Sequence, residues 1–474
     1  MPPSPSAPLL YRRLADDMAD LVDRRVLRPG ERLPSVRSIS RQRRVSLATV
    51  LRAYQVLEDR GYVEVRPQSG HYVKADLPAL PPPPAIGRVR LAEEAVRSEN
   101  LLGELLERVN DPAIVPFGAA TAATELFPVA KLSRLLAIRA RKSGGVAYEG
   151  PRGMEPLRRQ VIRRAAANGV TLHEDELVVT NGCTEALHLA LRSATRPGDT
   201  ILLESPTYYG FLELANSLSL RVLELPTSPT SGVAPDDIRR ALRRRRVAAF
   251  LTSPNFQNPL GFTVPDHAKR EIVDLLAPRG IRIVEDDVYS DLYFGRERPL
   301  PYKAFDKVGN VLLCSSISKT VAPGYRVGWV AAGTCASRIA SLKVGLSLQT
   351  NTLAQLTAAD FLSLGGVEHH LRRLRQAFRR QVGDMQHAVA RYFPEGTRVS
   401  RPAGGHLIWV ELPSRTDAFE VARRAFKQRI GVLPGRFFST GPSYEHCMRI
   451  NCGAPLTPER EEAVKTLGKL ARKA

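Results

Sequence analysis

The chain has 474 residues, too many for one compact core and enough for two or three domains. Its 43% hydrophobic content is ordinary for a globular chain, and no run nears the roughly eighteen apolar residues of a membrane span, so no membrane partner is expected. The charged residues, 25% of the total, leave a net +21, which points toward a polyanionic partner through counterion release, although an Arg-enriched genome gives the same excess.

Five cysteines (Cys183, Cys314, Cys335, Cys447 and Cys452) form no CxxC pair. That excludes a disulfide scaffold and any metal site built on cysteine pairs. Met1 to Pro8 carries no basic segment followed by an apolar one, so no signal peptide is expected and a reducing cytoplasm is the predicted location.

From Leu9 to Val26, Leu10, Leu14, Met18, Leu21 and Val22 recur at helical spacing. Arg28-Pro-Gly-Glu breaks that pattern. Pro34-Ser35 opens a second helix with Ser35 as N-cap, and a basic turn, Arg41 to Val45, leads to a third. Ser46 caps the third helix, Val50, Tyr54 and Leu57 form its buried stripe, and Gly61 stops it. Tyr62 to Val65 and Tyr72-Val73 then read as two strands around a loop.

This succession predicts a winged helix-turn-helix (α+β) over residues 1–75. Arg37, Arg41, Arg43, Arg44, Arg52 and Arg66 surround it as phosphate contacts, and Ser46 and Thr49 stand where short polar side chains reach base edges. The segment resembles the GntR class of bacterial DNA-binding domains in Gly30-Glu-Arg-Leu-Pro-Ser-Val-Arg37, Val45-Ser-x-x-Thr49, Ala53-Tyr-x-x-Leu-Glu58, Gly61-Tyr62 and Ser69-Gly70. The resemblance implies double-stranded DNA as partner, with Arg37, Ser46, Thr49 and the wing at Gly70 and His71 touching it. Leu47 departs from the pattern, where such domains often have Arg.

Residues 76–112 read as a linker: four successive prolines, Pro81 to Pro84, favour an extended semi-rigid spacer, and a partly polar helical stretch follows to about Asn110. From 113 to 474, short apolar runs alternate with helical patterns. Leu177 to Val179, Thr200 to Leu203, Ala248 to Leu251, Ile281 to Val284 and Val311 to Leu313 predict the strands of a mainly parallel α/β sheet. Arg243 to Arg246 and Arg372 to Arg380 are basic stretches outside the reader, read as solvated helix faces or secondary DNA contacts.

Lys319 follows the strand ending at Leu313, inside Ser315-Ser-Ile-Ser-Lys. A lysine at the end of a buried strand loses its proton readily and attacks an aldehyde to form an imine. Pyridoxal 5'-phosphate (PLP) needs such a lysine, a carboxylate for its pyridine nitrogen and an anion cradle. Asp286 ends another strand, Asn258 and Tyr289 are donors for the ring's phenolic oxygen, and Tyr208 is placed to stack on the ring. Thr180-Asn-Gly-Cys-Thr-Glu lies between strand and helix, so Gly182, Cys183 and Thr184 offer a phosphate site at a helix N-terminus, with Ser316, Ser318 and Arg326 adding donors. Taken singly, Asp286 also reads as a helix cap, Arg449 as a surface ion pair and Lys319 as an exposed lysine.

The ordered series Tyr148-x-Gly-x-x-Gly153, the loop 180–187, Asn258-Pro-x-Gly261, Asp286-x-x-Tyr289, Ser316-x-Ser-Lys319, Arg326 and Met448-Arg-Ile-Asn451 resembles the fold-type I aminotransferases. That implies a PLP-dependent transferase fold: a large α/β domain with a smaller α+β domain. It implies further that Arg449 grips an amino acid's carboxylate and that Tyr148 reaches the phosphate of a neighbouring subunit. A GntR-like reader joined to such a domain is the MocR arrangement. It implies a transcription regulator that senses an amino acid, an amine or PLP, as a head-to-tail homodimer; a working aminotransferase with an accessory reader is the alternative.

Overall fold

The computed structural model describes residues 10–59, 62–66, 69–74, 80–87, 93–95, 111, 113–142 and 147–474. Gly61, expected to end the third helix, and the helical stretch expected up to Asn110 lie largely outside the described residues. The chain divides into two compact units, Met1–Pro81 and Pro82–Ala474.

In the first unit, helices Leu10–Asp23, Val36–Arg43 and Leu47–Asp59 precede a hairpin of Val63–Arg66 and Gly70–Val73. Leu14, Met18 and Val22 from the first helix meet Ile39, Val50, Tyr54, Leu57 and Val73 in one core. The expected caps are in place. Ser35 accepts from the Ser38 N–H at 3.2 Å and Ser46 from the Thr49 N–H at 3.1 Å, each satisfying a donor that the first helical turn leaves free. Between them, Arg44 takes a left-handed conformation (φ 51°), which ends the second helix sharply enough to turn the third across it.

The second unit is built on a sheet in the order Glu93–Ala95, Arg221–Ser228, Thr200–Ser205, Ala249–Thr252, Arg282–Asp286, Val311–Ser316, Val327–Ala331, Leu177–Asn181. The middle pairings are parallel, while Glu93–Ala95 and Val327–Ala331 run antiparallel to their neighbours. The sheet is therefore mainly parallel. Alternate residues feed opposite faces. Val178, Leu203, Leu251, Val284 and Leu312 pack toward the helix Gly182–Ala194. Val179 and Leu313 face Leu157 and Val161, and Phe250, Ile283 and Val311 face Ile238 and Ile272.

All five strands expected from apolar runs are present. Arg221–Ser228 and Val327–Ala331 were not foreseen. The second holds Gly328, where a Cβ would fall on the main chain of Gly182 and Cys183. That close approach brings the start of the helix Gly182–Ala194 tight against the sheet.

A smaller α+β domain has an antiparallel sheet, Arg398–Val399, Leu407–Glu411, Cys447–Asn451 and Leu433–Pro434. Val367–Tyr392, Ala418–Lys427 and Pro458–Ala471 cover it.

Part of the stretch expected as linker is attached to the large unit. A polyproline segment has no internal hydrogen bonds, so its carbonyls remain free to accept. The Pro82 carbonyl accepts from the Val399 N–H at 3.0 Å, the Pro83 carbonyl from Arg398 at 3.3 Å, and the Ala85 N–H donates to Glu411 at 2.8 Å. Glu93–Ala95 then adds an edge strand to the large sheet.

Candidate functional site

Parallel strands point their carboxyl ends one way, and ligands of open α/β sheets bind beyond those ends. A cavity of about 260 Å³ lies there. Cys183, Thr184, Tyr208, Asn258, Asp286, Tyr289, Ser316, Ser318, Lys319 and Arg326 all line it. Residues spread over 144 positions of sequence, from Cys183 to Arg326, therefore meet in one space because each lies at, or in the loop beyond, the same edge of one sheet, Arg326 just before the antiparallel strand Val327–Ala331.

Lys319 is half-buried, which overturns the alternative of an exposed lysine, and it has no ion pair among the described residues. Its Nζ donates to the Ala120 carbonyl at 2.7 Å. Burial brings its pKa down to about 8, helped by the Arg449 and Arg326 charges and opposed by Asp286. A substantial fraction of the amine is consequently neutral and nucleophilic at mildly alkaline pH.

Asp286 ends Arg282–Asp286 and is buried. Its Oδ1 accepts from the Val288 N–H at 3.2 Å and faces the Cys183 Sγ at 3.6 Å. No hydrogen bond reaches Oδ2 from the described residues, although Asp286 forms part of the cavity wall. Burial pushes its pKa up to about 6, against those hydrogen bonds. Such a carboxylate is matched to a cationic N–H donor arriving in the cavity.

Gly182 has φ +79° and opens the helix Gly182–Ala194; a Cβ there would run into the guanidinium of Arg326. Arg326 also donates to the Ser318 hydroxyl at 3.2 Å, and the Ser316 hydroxyl accepts from the Ser318 N–H at 3.3 Å. The free N–H groups of the first helical turn, a guanidinium and three hydroxyls thus converge in a cradle for an anion. Glu185 in that turn would repel an anion, but Lys343, fully buried, holds it at 2.9 Å.

Arg449 is fully buried, so the alternative of a surface ion pair is overturned. Its guanidinium donates to Asn258 Oδ1 at 2.9 Å and to the Gly118 carbonyl, while Nε has no partner among the described residues. Spending Oδ1 on Arg449 leaves the Asn258 amide N–H₂ as donor. Tyr289 stays protonated, its pKa raised by burial, so its hydroxyl is also a donor. Behind it stands His406, whose ring lies 5.8 Å away and donates or accepts at Asn451 over 2.9 Å. Burial, with the nearby Lys319 charge, brings the His406 pKa down to about 3, which keeps that wall neutral. Tyr148 is apart from the cavity lining and 82% exposed.

The donor set fits PLP: a buried amine for its aldehyde, a carboxylate oxygen for its pyridine nitrogen, two donors for its phenolic oxygen and a cradle for its phosphate. Sequence reasoning missed Ala120, Ser253, Lys343 and His406. None carries a motif, and each reaches the site only through long-range packing.

In the reader, Arg37, Arg43 and Arg44 are exposed, and only Arg43 has an ion-pair partner among the described residues, Asp17 at 3.7 Å. Ser46 is spent partly on its cap and on Thr49, whose hydroxyl lies 2.8 Å away. Gly70 (φ +112°) lies beside Arg32, a cation at the wing that the motifs did not single out. His71 is half-buried, its ring 4.8 Å from that of Tyr54, and burial lowers its pKa. It is therefore a poor cation for phosphate.

Fold and cavity together define an aminotransferase-like large unit preceded by a winged helix. The model for "Aminotransferase class I and II" matches residues 119–467, and that for "Bacterial regulatory proteins, gntR family" matches residues 10–73. The HTH-type transcriptional regulator YdcR of Escherichia coli is 38% identical over 97% of this chain and 98% of the relative. The 2-aminoadipate transaminase of Thermus thermophilus is 32% identical over 77% of this chain and 92% of the relative. Among solved structures, Pyrococcus horikoshii kynurenine aminotransferase, determined with PMP, matches with TM-score 0.74 and 26% identity over 80% of this chain and 95% of that one. The LysN α-aminoadipate aminotransferase of T. thermophilus, complexed with N-(5'-phosphopyridoxyl)-L-leucine, matches with TM-score 0.73 and 29% identity over 80% and 96%. The chain belongs to the HTH-type transcriptional regulators that join a gntR-family domain to an aminotransferase class I/II domain, the MocR arrangement.

Proposed function

We propose that this regulator carries PLP in its large unit and uses it to sense an amino acid or amine, changing how a head-to-tail homodimer grips operator DNA. The carrying observation is the pairing of a half-buried Lys319, its pKa down to about 8, with a buried Asp286 whose Oδ2 has no hydrogen bond among the described residues. When bound, PLP supplies an aldehyde that amines attack and a ring that draws in electrons. Lys319 bonds it covalently and Asp286 holds the pyridine nitrogen. Asn258 and Tyr289 donate to the phenolic oxygen, and Tyr208 stacks on the ring. Gly182, Cys183 and Thr184 at the helix start, with Ser316, Ser318 and Arg326, hold the phosphate, joined by Tyr148 of a neighbouring subunit. Arg449 takes the effector's carboxylate. In the reader, Arg37, Arg43 and Arg44 hold phosphates, Ser46 and Thr49 approach base edges, and Gly70 and His71 form the wing.

Coupling requires the effector to bind two conformations unequally. A contact route toward the proline segment supports it. Gly87 lies against the Tyr444 hydroxyl, which donates to the Ser205 hydroxyl at 3.3 Å; Ser205 donates to Glu224 at 2.6 Å, and three residues on is Tyr208 in the cavity. An effector that shifts Tyr208 or Arg449 would thus change the seat of the segment leading to the reader.

The test is a visible absorbance spectrum of PLP-loaded protein before and after a panel of amines and amino acids. One compound should shift the band and keep it shifted. No band after PLP is supplied contradicts the reading. The complete constellation also favours a second reading, a working aminotransferase, and recovery of the band by a keto acid would select it.

A further inference from the structure

Most of the net positive charge lies outside the reader. Residues 1–81 hold 14 Lys and Arg against 9 Asp and Glu, leaving 55 against 39 in the remainder, so +16 of the +21 belongs to the large unit. Aminotransferase-like chemistry needs little of it, since Lys319 and Arg326 are the cations lining the cavity and Arg449 is the further one proposed to serve it.

About a quarter of that excess sits on one helix and the two residues after it. The helix Pro235–Arg244 and the two residues after it carry Arg239, Arg240, Arg243, Arg244, Arg245 and Arg246 against Asp236 and Asp237. Arg239 is bonded to Asp236 and Glu271, and Arg240 to Asp237. Arg245 shares Glu93 with Arg221, at 3.7 and 3.6 Å. Arg243, Arg244 and Arg246 are exposed and have no ion pair among the described residues.

One cation at a helix C-terminus is explained by the helix dipole, worth about 0.3–1 kcal/mol. Four successive arginines are not, because the dipole is offset by the first and each neighbour repels the next. What relieves such repulsion is a polyanion with charges at regular spacing, whose counterions are released on contact. The chain already carries one unit of a family that binds DNA, so the polyanion it meets in working is a duplex. We propose that Arg243, Arg244 and Arg246 form a sequence-independent phosphate-binding patch on the large unit, which grips duplex flanking the operator. The inference rests on the proposed operator binding.

The test uses full-length, PLP-loaded protein and its Arg243→Gln/Arg244→Gln/Arg246→Gln variant, with a short duplex limited to the operator and a long one with flanks. The absorbance spectrum should be unchanged in the variant, as a check that the large unit folds. The wild type should bind the long duplex more tightly, with a steeper salt dependence. The variant should lose that advantage, its slope of log K against log salt falling by about 2.7 on the long duplex, or about 0.9 per arginine, and by nothing on the short one. Equal slopes for both proteins on the long duplex overturn the patch. Failure of both proteins on the short duplex contradicts operator binding itself. RNA of equal length is the competitor: if it displaces the flanked duplex only at the patch, and more strongly than DNA does, DNA is the wrong partner.

Discussion

The two units of this chain assign function to opposite parts of a protein. In the large unit the proposed working groups are wholly or partly buried, held at strand ends and shifted in pKa by that burial, as with Lys319 and Asp286. In the reader the cations proposed to meet phosphates, Arg37 and Arg44, stand on the surface with no ion pair among the described residues. Burial makes a few groups reactive at fixed positions. Exposure leaves charges free to exchange counterions and follow a phosphate backbone. The same residue type, arginine, shows the contrast: Arg449 is fully buried and held by Asn258, whereas Arg37 is exposed with no ion pair among the described residues.

The comparison breaks most visibly at Lys319. Lys319→Ala should abolish the borohydride-stable PLP label while leaving short-operator binding measurable; a persisting label elsewhere removes Lys319 from the account. Asp286→Asn comes next. Loss of a charge-assisted bond, worth about 1.5–3 kcal/mol, should weaken PLP retention by roughly ten- to a hundredfold, read by dialysis and absorbance. In the reader, Arg37→Ala with Arg44→Ala should lower the salt slope of operator binding by about 2 and leave the PLP spectrum alone.

The pH dependence sharpens the contrast further. Lys319 attacks as the neutral amine, and its pKa is down to about 8. The rate of PLP uptake by the apoprotein should therefore rise about tenfold per unit below pH 8 and level off above it. A plateau reached only beyond pH 10 would mean the amine is not held in a dry cavity. The smallest effect is Ser46→Ala, which removes the cap on the third helix and should cost about 1 kcal/mol of reader stability in denaturant melts.

What was legible in the sequence follows the same division. Buried parallel strands are continuous apolar runs, so Thr200–Ser205, Ala249–Thr252 and Val311–Ser316 stood out, and the residues after them were placed with them. Val327–Ala331 did not stand out, because Gly328 interrupts its pattern for a contact made with Gly182, 146 positions away. The Ser35 and Ser46 caps were legible because capping is local. The burial of His71 against Tyr54 was not, nor was the neutral His406 behind Tyr289, since both depend on chain segments that meet only after folding. The proline run was legible as extended chain, but its hydrogen bonds to Arg398, Val399 and Glu411 were not.

The central claim is that the state of the Lys319 cavity sets the grip of the reader. The most direct measurement is the operator affinity of PLP-loaded protein, by fluorescence anisotropy, with and without the compound that shifts its absorbance band, in wild type and in Gly87→Ala. The account predicts a change in Kd with the compound in wild type. It predicts a reduced change in Gly87→Ala, whose Cβ displaces Tyr444, with the band shift retained. An operator Kd in wild type that ignores a compound visibly bound at the cavity would contradict it.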